Sequence, residues 1–160
     1  LKDRIRRVGP ISVAEYMQAC LQDPEHGYYV KRLVIGRDGD FITASEISQI
    51  FGELIGLWSA VVWQQMGSPP RINLVELGPG RGTLMRDALR AAGKVPRFID
   101  ALDVHLVESN EHLIRMQRKT LETVDTKLRW HGSMRSLPEG PALLIANEFL
   151  DTTAVEQSVD

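Results

Sequence analysis

The chain has 160 residues, of which 43% are hydrophobic and 25% charged, and its formal net charge is −2. This length and composition fit a soluble globular protein of ordinary size. The near-neutral charge gives no global attraction to nucleic acid or to an anionic membrane, and no apolar run approaches the ~20 residues that span a bilayer. The single cysteine, Cys20, excludes an internal disulfide.

Residues 1–70 are predicted to form a helical segment. The basic run near the start indicates a solvated helix face, and Ser12 with Glu15 has the spacing of a capping box, so a helix is expected to follow and to end near Pro24. Thr43 with Glu46 is a second possible capping box, placed before a long helix from about residue 45 to residue 66.

The long helix carries apolar residues at helical spacing, which predicts a wide buried face. These residues are Ile47, Ile50, Phe51, Leu54, Ile55, Trp58, Val61 and Val62.

Residues 71–160 alternate between strand-like and helix-like segments. Strands are predicted at Ile72–Leu77, Val104–Glu108, Lys127–His131 and Ala142–Ala146, with helices following the first two at about residues 83–93 and 110–122. Such alternation predicts an α/β fold with a Rossmann-like parallel sheet joined by right-handed crossovers. Ligands of these sheets bind at the carboxyl ends of the strands.

A glycine-rich loop directly follows the first predicted strand in "VELGPGRGTL", with Gly78, Gly80 and Gly82 at alternate positions. Glycines let a ligand approach the backbone, and the helix beyond offers free N–H groups to an anion. A dinucleotide fingerprint requires a third glycine three positions after the second, where this chain has Thr83. The E-x-G-x-G-x-G form that begins at Glu76 is typical of S-adenosylmethionine-dependent methyltransferases, although a NAD-dependent oxidoreductase remains an alternative.

Acidic residues follow the second and fourth predicted strands. Glu108 is placed to accept hydrogen bonds from a ribose diol, which adenosine in either cofactor would supply, or to cap the next helix. Glu148 and Asp151 in "NEFLD" could bind a cationic nitrogen substrate, since paired carboxylates suit the planar guanidinium of arginine, or they could cap the following turn. The histidines have no ligand spacing, and no metal site is predicted.

Several segments together resemble the MidA-like family of class I methyltransferases. They are "GPISVAEYM", "HGYY", "GDFITASEISQIFGELIG", "VELGPGRGTLMRDALR", "VHLVE" and "LLIANEFLD". The resemblance covers about residues 9–151, and its mitochondrial members are protein-arginine methyltransferases needed for assembly of respiratory complex I. The resemblance implies that the cofactor is S-adenosylmethionine and that the substrate is a protein, such as a subunit of complex I. It also implies a location in the mitochondrial matrix if the source is a eukaryote, or in the cytoplasm if it is a bacterium.

The resemblance also implies where the cofactor is bound. Gly78, Gly80 and Gly82 would contact it, Glu108 would hold its ribose, and Asp40, Phe41 and Thr43 would form a lid over it. Adenine is expected beside Ser133 and Met134, where class I methyltransferases often contact it. The expected site further includes Glu76, Pro79, Thr83, Ser109 and Asn147.

The chain departs from the family at two places. Ser45 stands where family members have proline, and the sequence stops soon after Asp151, where the family continues into a long further region. Four strands of a seven-stranded class I sheet are therefore expected, and the chain is predicted to be truncated. A methyltransferase fold that serves as a non-catalytic binding or assembly module remains a second alternative.

Overall fold

A computed structural model describes residues 1–23, 25–31 and 43–158 of the chain. The N-terminal part is helical, and the part that follows alternates strands with helices, as predicted. The N-terminal helices are α1 (Lys2–Val8), α2 (Val13–Gln22), α3 (Tyr28–Lys31), α4 (Ala44–Ile47) and α5 (Gln49–Gln65). The alternating part contains β1 (Ile72–Leu77), α6 (Thr83–Ala92), α7 (Pro96–Ala101), β2 (Leu102–Val107), α8 (Glu111–Thr120), β3 (Leu128–His131) and β4 (Ala142–Ile145).

The four described strands form one parallel sheet in the order β3-β2-β1-β4. Leu74 in the centre of β1 lies opposite Val104 of β2 on one side and Leu143 of β4 on the other. The predicted α/β class and the parallel direction of the sheet are confirmed. Strand β1 is buried along its whole length, because it has a neighbour on each side and four of its six residues are apolar.

The first predicted capping box is present and the second is absent. Ser12 Oγ accepts a hydrogen bond from the Glu15 N–H at 3.1 Å, and Glu15 Oε2 accepts one from the Ser12 N–H at 2.9 Å. Thr43 makes no side-chain cap, and its Oγ1 lies 3.0 Å from Ser45 Oγ.

The predicted long helix is broken at Ser48, which separates α4 from α5. This residue has extended backbone angles (φ −143°, ψ 123°), and its hydroxyl accepts from the Ile50 N–H at 3.2 Å, which caps α5. A serine can satisfy an otherwise free N–H of a new helix, so the break has a local physical cause.

The helix-covered face of the sheet holds the hydrophobic core. Leu74, Leu106 and Ile145 of the strands, Met85 of α6 and Phe98 of α7 belong to it. Trp63 of α5 reaches the same cluster, with its ring centroid 5.5 Å from that of Phe98. Helix α7, which the sequence analysis did not predict, thus supplies a fully buried aromatic side chain.

The face of α5 that packs inward differs from the predicted one. Its buried residues are Gly52, Gly56, Ser59, Ala60 and Trp63. Of the residues predicted to be buried, Phe51, Ile55 and Val62 are partly buried, whereas the others are exposed by 50% or more: Ile47, Ile50, Leu54, Trp58 and Val61. No helix in the described ranges is long and apolar enough to cross a membrane.

Candidate functional site

The polar loops that the sequence analysis singled out meet at one edge of the sheet. The glycine loop follows β1, Glu108 follows β2, Ser133 follows β3 and Asn147 follows β4. Because the strands are parallel, these residues all lie at the carboxyl edge, where α/β folds bind ligands. Backbone hydrogen bonds continue the sheet to this edge. The Gly78 N–H donates to the Val107 carbonyl at 3.0 Å, and the Glu108 N–H donates to the His131 carbonyl at 2.9 Å.

The glycine loop uses backbone conformations that side chains disfavour. Gly78, Gly80 and Gly82 have φ angles of 60°, 55° and 82°, all in the left-handed region. The Gly82 N–H donates to the Pro79 carbonyl at 2.8 Å, and Gly82 is the N-cap of α6. The loop therefore turns tightly from β1 into the first turn of a ten-residue helix, whose free N–H groups face the same edge.

Phe149 packs against this loop, a contact that the sequence analysis did not predict. An added Cβ on Gly78 would lie 2.5 Å from Cδ2 of the Phe149 ring. The segment after β4 therefore touches the loop after β1, as adjacent strands allow. In the sequence, the only signal for this contact was that the "NEFLD" segment contains an aromatic residue.

Glu108 is partly buried, and both of its carboxylate oxygens accept hydrogen bonds. Its Oε1 accepts from the Asn110 N–H at 2.8 Å, and its Oε2 accepts from Gln117 Nε2 at 3.3 Å. Burial raises the pKa of Glu108, and the hydrogen bonds from Asn110, Gln117 and the Ser109 backbone oppose that rise. Asn110, not Glu108 or Ser109, caps α8, since its Oδ1 accepts from the His112 N–H at 2.9 Å.

Glu76 lies one residue before the end of β1, on the core face that it shares with Leu74. It is 3% exposed, and its Oε2 has no hydrogen-bond partner among the described residues. Burial raises the pKa of Glu76 to about 8. An unpartnered carboxyl oxygen beneath a glycine loop is a polar atom whose hydrogen bonding the described residues do not satisfy.

The N-terminal part reaches the glycine loop through Glu46. Thr83 Oγ1 donates to Glu46 Oε1 at 2.6 Å, and Arg81 Nη1 lies 3.8 Å from Glu46 Oε2. Glu46 was predicted as a capping residue, and this contact across the fold was not foreseen. Of the predicted lid, Thr43 directly precedes α4, while Asp40 and Phe41 lie outside the described residues.

The proposed substrate-binding acids are both exposed. Glu148 has a left-handed φ of 49°, which is uncommon for a residue other than glycine and is a feature seen at functional sites. Asp151 lies in the turn Leu150–Thr152, near Tyr29 of α3. Burial, and then the negative charge of Asp151, raise the pKa of Tyr29.

Among the described residues, no hydrogen bond links Glu148 to Asp151. Their roles in substrate binding stay predictions. Tyr29 also contacts the second strand end, since its carbonyl accepts from Asn110 Nδ2 at 3.4 Å. Helix α3 thus lies across the carboxyl edge between the ends of β2 and β4.

The remaining predicted residues lie around this edge. Ser133 and Met134 are exposed after β3, and Ser133 Oγ accepts from the Arg135 N–H at 3.0 Å. Ser109 is exposed and Asn147 is half-buried. Among the residues that the structure describes, no group of three or more His, Cys, Asp or Glu side chains could hold a metal ion.

Comparison with known proteins shows which family the chain resembles. The profile of a family described as putative S-adenosyl-L-methionine-dependent methyltransferases matches residues 54–159. A curated relative from Drosophila melanogaster, named protein arginine methyltransferase NDUFAF7 homolog, mitochondrial, is 41% identical and aligns with 98% of this chain and 40% of its own length. The Homo sapiens protein arginine methyltransferase NDUFAF7, mitochondrial, is 40% identical, with 96% and 40% of the two chains covered.

A crystal structure gives the same answer for the fold. A COG1565 superfamily member from Burkholderia thailandensis, bound to S-adenosyl-homocysteine, superposes with a TM-score of 0.73 at 26% identity, over 89% of this chain and 38% of that one. The present chain spans about 40% of the length of the curated relatives. These matches decide between the cofactors that the glycine spacing left open, in favour of S-adenosylmethionine.

Proposed function

The chain belongs to this family of S-adenosyl-L-methionine-dependent methyltransferases, and from that premise we propose that it methylates an arginine of a partner protein. The proposal depends chiefly on the arrangement at the carboxyl ends of β1 and β2, where the two loops that follow these strands lie together. There, a left-handed glycine loop and a carboxylate held by Asn110 and Gln117 lie side by side. The relatives named above are protein arginine methyltransferases, which supports the choice of arginine.

The residues present fit the cofactor. The α-amino group and sulfonium of S-adenosylmethionine are cationic, and its ribose diol donates hydrogen bonds. Gly78, Gly80 and Gly82 give the loop a left-handed backbone without side chains, while Glu108 supplies acceptors and Glu76 an unpartnered buried oxygen. We propose that the cofactor site comprises these residues with Pro79, Thr83, Ser109, Ser133, Met134, Asn147 and the predicted lid at residues 40, 41 and 43.

When bound, the cofactor supplies an electrophilic methyl group. The work of this chain is to bind, orient and balance charge, because an in-line displacement gains most of its rate from positioning and electrostatics. Glu148 and Asp151 would orient a guanidinium and stabilise its positive charge, for which a pair of exposed carboxylates beside the cofactor edge is suited. Tyr29 stands near Asp151 and would border the same space.

The partner and location are part of the proposal. We propose a subunit of respiratory complex I as the substrate, in the mitochondrial matrix if the source is a eukaryote and in the cytoplasm if it is a bacterium. The curated relatives are named as mitochondrial proteins, which supports the first location.

Calorimetric titration with S-adenosylhomocysteine tests the cofactor site. Gly78→Ala should weaken binding at least tenfold, because the new methyl group would meet the Phe149 ring and because alanine disfavours the left-handed backbone that Gly78 adopts. Gly93→Ala is the matched control, since Gly93 has φ −59° and an added Cβ there would make only ordinary contacts. Its affinity should stay within about twofold of the unaltered chain. Binding that Gly78→Ala leaves unchanged would contradict the assignment of this loop.

Mass spectrometry of the native partner proteins tests the chemistry. The gene product should add methyl groups to arginine, and Glu148→Gln with Asp151→Asn should abolish methylation while S-adenosylhomocysteine affinity stays the same. If the doubly substituted protein supports the partner's assembly as well as the unaltered one, the fold acts as a non-catalytic assembly module instead.

A further inference from the structure

Gln117 of α8 is a fully buried polar residue in contact with both proposed cofactor-binding elements. Its Nε2 donates to the Gly80 carbonyl at 2.8 Å and lies 3.3 Å from Glu108 Oε2. Its Oε1 accepts from Trp130 Nε1 of β3 at 2.9 Å. One amide therefore joins the glycine loop, the acid after β2 and strand β3.

The chemistry of these partners allows only one orientation of the amide. The indole N–H of Trp130 can only donate, so it must face Oε1, and the Gly80 carbonyl can only accept, so it must face Nε2. A flipped amide would place two donors together at Trp130 and two acceptors together at Gly80. The two N–H groups of Gln117 are thereby directed to Gly80 and to Glu108.

The helix also lies directly against the loop. An added Cβ on Gly82 would be 3.5 Å from both Cα and Cγ of Gln117. Gln117 therefore connects to the loop through backbone packing at Gly82 as well as through the bond to Gly80. A buried amide with both ends bonded holds its neighbours in a defined geometry, whereas an apolar side chain there would leave the Trp130 N–H and Gly80 carbonyl without this partner.

We propose that Gln117 is a positioning residue that sets the glycine loop and the Glu108 carboxylate at one fixed separation for binding S-adenosylmethionine. The inference rests on the proposed cofactor site. Gln117 is fully buried, so it would act through Gly80 and Glu108 and not on the ligand itself. Its donor to Glu108 stabilises the charged carboxylate, which is the form that accepts two hydrogen bonds from a ribose diol.

The test is a double-mutant cycle on S-adenosylhomocysteine affinity, measured by calorimetry with the unaltered chain, Gln117→Met, Glu108→Gln and the double variant. Gln117→Met keeps the length of the side chain and removes its hydrogen bonds, and it should weaken binding about tenfold or more. In the Glu108→Gln background the same change should cost at least threefold less, because part of its effect passes through the missing carboxylate.

A merely structural role would give the same loss in both backgrounds, and that additive result would overturn the inference. Gln117→Glu provides a second variant should Gln117→Met fail to fold. It keeps the acceptor for Trp130, loses the donor to Gly80 and places a second carboxylate beside Glu108, so its loss should exceed that of Gln117→Met and shrink in the Glu108→Gln background. If the unaltered chain fails to bind, the cofactor site itself is wrong, whereas normal binding with additive losses rejects Gln117 alone.

Discussion

Glu76 is a single residue whose burial costs the fold free energy. Its carboxyl group is almost fully buried on the core face of β1, and one oxygen has no partner among the described residues. Burying an unpaired charge is unfavourable, so the group holds its proton to a pKa of about 8. A residue of this kind is a candidate for function, because packing alone would favour an apolar side chain.

This burial makes the stability of the protein depend on pH. The folded pKa lies above the ordinary value of 4.5, so between pH 4.5 and 8 the folded state holds a proton that the unfolded state has lost. The free energy of unfolding should fall as pH rises through that window, by at most about 1.4 kcal/mol per pH unit. Glu76→Gln should remove this slope and raise stability at pH 7 by up to about 3 kcal/mol.

Urea unfolding of the unaltered chain and of Glu76→Gln, at pH values from 5 to 8, measures the difference. Glu139→Gln is the control, since Glu139 is exposed and its substitution should leave the slope unchanged. Parallel curves for the unaltered chain and Glu76→Gln would show that Glu76 is ionised in the folded state at neutral pH.

At the scale of elements, the packing of α5 on α6 depends on small residues. A Cβ on Gly52 would be 2.8 Å from Asp87 Cβ, and one on Gly56 would overlap the Ala88 carbonyl. The two helices therefore approach so closely that backbone meets backbone. Asp87, which is buried on α6, is compensated by Arg86 at 3.0 Å and Arg90 at 3.3 Å, and Arg90 also reaches Glu53 of α5 at 2.9 Å.

Gly56→Ala should therefore destabilise the protein although alanine favours helix formation. The intrinsic preference for alanine is worth about 1 kcal/mol, while overpacking a tight contact typically costs 1–3 kcal/mol and here displaces a backbone carbonyl. Because the overlap at Gly56 is severe, we expect the cost to prevail, with a net loss of up to about 2 kcal/mol in urea unfolding. Gly93→Ala, at the end of α6, makes only ordinary contacts and should stay within about 0.5 kcal/mol. A more stable Gly56→Ala would show that the helices can separate at no cost.

The elements differ in how well their sequence predicted them. The strands were found because short runs rich in apolar residues are bounded by turn residues, and their bounds are exact at four of the eight ends and differ by one or two residues at the other four. The buried face of α5 was wrong because this helix is apolar on most sides, so periodicity could not reveal that its glycine face packs inward. Ser48 breaks the long helix, and its hydroxyl group caps α5. In the sequence, this serine looks the same as a serine inside a helix, so the break was not predicted.

At the scale of the whole molecule, the sequence predicted that the glycine loop after β1 and the acid after β2 would lie at the same edge of the sheet. Gly78, Gly80, Gly82 and Glu108 come together because parallel strands bring their carboxyl ends to one edge. Gln117, Glu46 and Phe149 were missed, since each reaches the site from a different element and carries no motif of its own. Their roles depend on distances across the fold, which a single sequence does not contain.

The contacts of α5 also bear on where the protein can be divided. The division at residues 70 and 71 stays a prediction, but Trp63 packs on Phe98, and Gly52 and Gly56 lie against α6. A fragment of residues 71–160 would expose the α6 surface and the Phe98 ring that α5 covers. A fragment of residues 43–160 would keep α5 and also the bond between Glu46 and Thr83.

We therefore expect the 43–160 fragment to unfold in one cooperative calorimetric transition and the 71–160 fragment to show none. The reason is that α5 covers α6 and the Phe98 ring, so a chain that lacks α5 exposes part of its core and cannot offset its conformational entropy. Restoring α5 as a separate peptide of residues 43–70 should recover the transition of the 71–160 fragment, which distinguishes a missing contact from a damaged fragment. A cooperative transition of the 71–160 fragment alone, within a few degrees of that of the whole chain, would establish it as an independent domain and make α5 an accessory to the fold.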